Sequence, residues 1–172
     1  VIGLVEIDLK TGTNRSLGGE SLEGGQTLLP VASPDGTTIA AIHGGTGKQI
    51  LEARVAIIDL VSGNARLITE PTDVSHLNYT RDGKSLIAER RRAAPMDQVQ
   101  DGDICRLDLA TGVFTLLCPG KFPVMLADGR ILFEDNDTRV LHTVTIEGTD
   151  MRPYAGGLKG HGFPAPSPDG KR

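Results

Sequence analysis

The stretch "LPVASPDGTTIAAI" (residues 29–42) decides the fold. At its centre, Ser33-Pro34-Asp35-Gly36 is a complete turn signal. Pro pre-sets φ for the second turn position, Ser bonds forward to the backbone, and Gly takes the left-handed position that L-residues resist. The run that follows, Thr37 to Ile42, is apolar at neighbouring positions and does not alternate, as expected of a strand covered on both faces. Pro30 sits six residues before the turn glycine, in what must be the preceding strand. Proline donates no ladder hydrogen bond, so that strand belongs at a sheet edge.

The same signal returns along the chain as "TRDG" (80–83), "LADG" (126–129) and "SPDG" (167–170). Its turn pairs are Asp35-Gly36, Asp82-Gly83, Asp128-Gly129 and Asp169-Gly170, and the Asp residues are 47, 46 and 41 positions apart. Pro123 and Pro164 repeat the position of Pro30, and Leu77 stands there in the second copy. A second signal interleaves with the first: "DLKTG" (8–12), "DLVSG" (59–63) and "DLATG" (108–112). Between the signals lie short apolar runs, so each period holds four strands, A to D, joined by tight turns. A unit of ~40–45 residues with four antiparallel strands is a propeller blade. The fold expected is therefore all-β, a β-propeller of four-stranded antiparallel blades with about four repeats in this chain. Residues 26–70, 73–118 and 121–156 are expected to be full blades. Residues 1–18 supply strands C and D of a partial blade, and 161–172 supply strand A and its turn, all within one propeller region over 1–172.

At "SPDGTTIAAI", "AIIDLVSGNARLIT" and "SPDGKR" the sequence resembles the TolB-type, WD-like β-propeller repeat. "TRDGKSLIAE" and "CRLDLATG" match nearly as well, while "TIEGTDMRPY" is a weaker copy, and the Trp-Asp pair of true WD repeats is absent. The resemblance covers essentially the whole chain. It implies a ring of roughly six to eight blades, of which this chain would be a slice. It further implies a non-catalytic binding or scaffold propeller that docks a protein or peptide partner, in a periplasmic or exported setting. The alternative is the propeller of a larger enzyme: a peptidase-gating propeller with its catalytic domain elsewhere, or a metal-dependent propeller lyase.

The 172 residues carry 18 Lys and Arg against 22 Asp and Glu, a net charge of -4. That balance argues against a nucleic-acid binder, which shows a basic field. No run of ~18 apolar residues suggests a membrane span. Aromatic residues make up only 3% and Trp is absent, so the core must be aliphatic. Cys105 and Cys118 read either as two buried thiols or as a cross-strand disulfide. A two-residue turn at Thr111-Gly112 would set them face to face, and a longer loop would not.

In a blade the D–A and B–C loops share one face, and the A–B and C–D turns share the other. The B–C loops differ in length and composition, and long variable loops on a rigid scaffold carry ligand contacts. They are "HGGTGKQILEA" (43–53), "RRRAAPMDQVQDG" (90–102) and "NDT" (136–138). The candidate ligand-binding residues on this face are His43, Lys48, Arg90, Arg91, Arg92 and His161. Around Lys48, "GGTGKQ" lacks the upstream Gly and the Ser or Thr of a phosphate loop. The arginine cluster reads as a solvated loop balanced by Asp97, Asp101 and Asp103, or as an anion-binding patch. His76 and His142 fall in strands, and no spacing gathers three ligands for a metal. "EDNDT" (134–138) lacks the Gly and distal Glu of a calcium loop and reads as a turn. No catalytic constellation is found and no cofactor is expected. Unpaired strand edges of the partial blades suggest self-association.

Overall fold

The computed structural model describes residues 4–18, 22, 25–44, 53–92, 101–155, 157–158 and 164–165. Lys48, Asp97, His161, Asp169 and Gly170 lie outside them. Among the described residues the chain forms fourteen strands and no α-helix. They make one two-stranded and three four-stranded sheets, all antiparallel, in the sequential order of propeller blades. The chain divides into two compact units, Val1–Val74 and Ser75–Arg172.

In the first unit, β1 (Leu4–Ile7) and β2 (Asn14–Leu17) form a hairpin. The four-stranded sheet comprises β3 (Gln26–Ala32), β4 (Thr38–Gly44), β5 (Arg54–Asp59) and β6 (Ala65–Leu67). Leu17 and Leu22 pack with Ala41, Ala56 and Ile58. Small and β-branched residues fit such close sheet packing. Arg15 ties the hairpin to this sheet: it pairs with Glu6 and donates to the carbonyl oxygens of Leu60 and Val61.

The second unit contains β7 (Val74–Tyr79), β8 (Ser85–Arg91), β9 (Gly102–Asp108) and β10 (Phe114–Pro119) as one sheet. Its other sheet is β11 (Lys121–Met125), β12 (Ile131–Glu134), β13 (Leu141–Val144) and β14 (Arg152–Pro153). Their shared core is Ile87, Ile104, Cys118, Ile131, Phe133 and Val144. The middle strands are buried on both faces, as the unbroken apolar runs predict, whereas the outermost strands β6, β10 and β14 are largely exposed.

The turns follow their sequences. In the Thr80–Gly83 turn, Gly83 donates to the Thr80 carbonyl at 2.9 Å and adopts φ +68°. The Asp82 carboxylate accepts from the Thr80 hydroxyl at 2.7 Å and the Lys84 amide at 3.1 Å. Gly83→Val should destabilise the second unit by roughly 1–2 kcal/mol, the cost of a left-handed L-residue. Urea unfolding checks this, and an unchanged midpoint would refute the turn assignment.

Strand A holds more than the sequence suggests. Leu28 pairs with Ile42 and Val31 with Ala40, so Leu29 and Pro30 together oppose a single residue of β4. Phe122 and Pro123 form the same bulge against β12, between the Lys121–Glu134 and Val124–Leu132 pairs. The bulge accommodates the proline, because the extra residue is released from the ladder. Its first residue is left-handed in both copies, Leu29 at φ 53° and Phe122 at φ 54°, and in β7 His76 is left-handed as well, at φ 53°.

Candidate functional site

The D–A and B–C end of the second unit gathers buried polar groups. Glu89, near the end of β8, is almost fully buried. Its Oε2 accepts the Phe122 amide at 2.9 Å and lies 3.1 Å from His76 Nδ1. Burial pushes the Glu89 carboxyl upward. The hydrogen bonds from His76 and Phe122 pull it down further, and it settles below the ordinary glutamate value. The His76 ring meets the Phe122 ring edge-on at 5.1 Å and its Nδ1 contacts Ser75 Oγ at 2.9 Å. Asn78 Nδ2 donates to the Pro123 carbonyl at 2.8 Å. Thus the left-handed residues His76 of β7 and Phe122 of β11 are both anchored to one carboxylate.

Beside it, Lys121 is buried and its ammonium reaches Asp101 at 3.3 Å. Gly102 permits the close approach of β9 to the Gly120 backbone and to the Glu89 side chain: a Cβ there would stand 2.9 Å from the Gly120 carbonyl and 2.8 Å from Glu89 Cγ. Glu134 ends β12 opposite Lys121, and Arg139 donates to its Oε1. Its Oε2, and the Oδ1 of Asn136, are buried with no hydrogen-bond partner among the described residues. Asn136 Nδ2 donates to the Gly102 carbonyl at 2.9 Å, which fixes the amide orientation.

The sequence-predicted residues distribute differently. Arg90 and Arg91 belong to β8, paired with Asp103 and Gly102, and do not start a loop at residue 90. The ladder continues because Asp103 and Gly102 can follow them in register. Arg90 stacks over the Phe114 ring at 4.9 Å, while Arg92 pairs with Asp103. His43 lies in β4 instead of a loop, buried against Thr27 Oγ1 at 3.0 Å, and burial lowers its pKa. Among the described residues no group of three or more His, Cys, Asp or Glu could hold a metal ion.

Of the two readings of the cysteines, the structure carries the buried thiols. Cys105 pairs with Leu116, Cys118 pairs with Ile104, and a bulge intervenes between Leu116 and Cys118. Residues directly opposite share a face and consecutive residues alternate. Cys118 therefore shares the face of Ile104, in the core cluster, and Cys105 faces the other side. Both are free and buried. Burial raises Cys105 to about 11 and Cys118 to about 12. A thiol reagent at pH 8 should react slowly with folded protein and count two thiols after unreduced denaturation. A count of zero would restore the bridge.

Glu89, Lys121, Glu134 and Asn136 escaped the sequence reading. The available signal was a glutamate closing two equivalent apolar runs, "SLIAE" and "ILFE". "EDNDT" is a turn, as read, but of an unrecognised kind. Asp135 Oδ1 accepts from the Thr138 amide at 2.8 Å, and Arg139 N donates to the Asp135 carbonyl at 3.1 Å. Asp59 and Asp108 cap their turns identically, with Gly63 and Gly112 in the position of Arg139.

No protein-family model and no curated protein sequence matches the chain. Solved structures do. A TolB-like chain from Agrobacterium tumefaciens aligns over 98% of this chain and 60% of its own length, with TM-score 0.75 and 23% identity. An oligogalacturonate lyase in complex with manganese aligns over 88% of this chain and 45% of its own, with TM-score 0.65 and 18% identity. Pyrococcus horikoshii acylaminoacyl peptidase aligns over 87% and 27%, with TM-score 0.62 and 13% identity. This chain thus spans less than two thirds of each. Sheet order, turn chemistry and these likenesses agree: the chain has the TolB-type fold, an all-β propeller of four-stranded antiparallel blades.

Proposed function

We propose that this chain is a non-catalytic binding propeller that presents the D–A and B–C end of its blades to a protein or peptide partner. The observation that carries this reading is an asymmetry in the second unit. At the A–B and C–D end, the carboxylates of Asp82 and Asp108 are taken up by their own turns. At the opposite end, two buried acceptor oxygens lack partners among the described residues and Lys121 leans on a half-exposed Asp101. Unused hydrogen-bonding capacity on a rigid scaffold supports recognition there. The likeness to TolB-like structures supports a protein partner and an exported, periplasmic setting.

The second reading is a propeller belonging to a larger enzyme whose catalytic residues lie outside this chain. Its support is the likeness to acylaminoacyl peptidase and oligogalacturonate lyase structures. A displayed random-peptide library tests the first reading. Selected peptides should lose binding on Arg92→Glu, at the proposed end, and keep it on Lys84→Glu, at the other. Equal sensitivity, or no selected peptide, would overturn it.

A further inference from the structure

We infer that Glu134 is a receptor for a guanidinium group, held closed by Arg139 and opened by an arginine side chain of a peptide partner. This rests on the binding role proposed for the same end and names the partner's chemistry. Three observations carry it. First, the Glu134 side chain is only 2% exposed, yet its Oε2 has no partner among the described residues. The neighbouring orphan, Asn136 Oδ1, is also an acceptor, since its amide nitrogen is committed to the Gly102 carbonyl. Two acceptors call for a ligand that donates, and a planar guanidinium offers paired donors matching a carboxylate.

Second, the residue already on Glu134 is an arginine in an unfavourable place. Arg139 sits at φ 59°, in the turn position that Gly12, Gly63 and Gly112 occupy in the equivalent turns. The turn itself would be served better by glycine. What arginine adds is a guanidinium on Glu134. Third, the Arg139 side chain is 41% exposed although the carboxylate it holds is buried, so the pair lies at the edge of the protein. An incoming arginine therefore meets an exchangeable plug. Metal binding is a poorer account, because no three of the described His, Cys, Asp or Glu residues converge. Lys121, opposite Glu134, is engaged with Asp101 and supplies no second donor to the orphan oxygens.

The probe is a capped Gly-Arg-Gly-Arg-Gly peptide titrated into the whole chain, followed by NMR at the Glu134 side-chain carboxyl and the Asn136 side-chain amide. Both signals should move and saturate, and a norleucine-for-arginine peptide should move neither. Arg139→Gly removes the plug and relieves the backbone, so affinity should rise roughly tenfold, and Glu134→Gln should lower it by a similar factor, as loss of a charge-assisted pair implies. Arg139→Gly also guards against a Glu134 variant that fails to fold. Unmoved Glu134 and Asn136 signals, or an Arg139→Gly affinity equal to wild type, would overturn the inference and leave the oxygens to buried water. Library peptides lacking arginine that bind this end regardless of Glu134→Gln would also overturn it, while leaving the binding role standing.

Discussion

Phe133→Ala should cost about 3–5 kcal/mol, the usual range for removing a fully buried aromatic side chain. Phe133 has no exposed surface and packs among Ile87, Ile104, Cys118, Ile131 and Val144, joining the two sheets of the second unit. Its ring lies so close to Gly120 that a Cβ there would stand 2.4 Å from Cδ2. Gly120 has no side chain to fill the space after truncation, and the other lining residues are held in strands. The cavity would therefore stay open, which places the cost in the upper part of the range. Phe133→Leu keeps most of the volume and should cost less than about 1.5 kcal/mol. Urea unfolding of both variants checks the pair. An alanine variant within 1 kcal/mol of the leucine variant would mean that the sheets close over the gap and that Phe133 does not hold them together.

The blade pattern was legible because turns and strands are local matters. Ser-Pro-Asp-Gly and Asp-Leu-x-Thr-Gly state their backbone conformation in the residues themselves, and the strands fill the intervals. The left-handed strand A positions, two of them in bulges, were hidden because their residues are Leu29, His76 and Phe122. None of these prefers that conformation, so it is imposed by contacts across strands, in one copy by the Glu89 bond to the Phe122 amide. The facing of Cys105 and Cys118 was hidden for a related reason. A bulge reverses the facing of every residue beyond it, and Leu116–Cys118 carries no residue that announces one. At the candidate site, Arg90 and Arg91 read as loop because nothing in a run of arginines marks the strand as continuing through them. Glu89 and Glu134 looked like strand ends because their partners, His76, Phe122 and Arg139, come from other elements or from a disguised turn.

Glu89→Ala should cost about 3 kcal/mol, because removing one partner of a buried polar network leaves the others desolvated. The Phe122 amide would lose its acceptor while its left-handed backbone remained strained, and His76 would lose the carboxylate at 3.1 Å. Glu89→Gln separates charge from hydrogen bonding. Its carbonyl oxygen can still accept from Phe122, so the deficit near pH 7 should be smaller than for alanine. The acid dependence then isolates the charge. The folded-state carboxyl titrates below its ordinary value: burial raises it, but His76, the Phe122 amide and the charge of Arg91 together lower it further. A depressed folded value stabilises the protein above the unfolded value of about 4.3, and the contribution is lost as pH falls through the lower folded value. The turn carboxylates of Asp82, Asp108 and Asp135 are also depressed and add to the acid loss, but equally in both proteins. The wild-type advantage over Glu89→Gln should thus be full near pH 6 and shrink steadily below pH ~4. A difference that stays constant from pH 6 to pH 3 would show that Glu89 holds the bulges by hydrogen bonds alone, with its charge making no contribution to the fold.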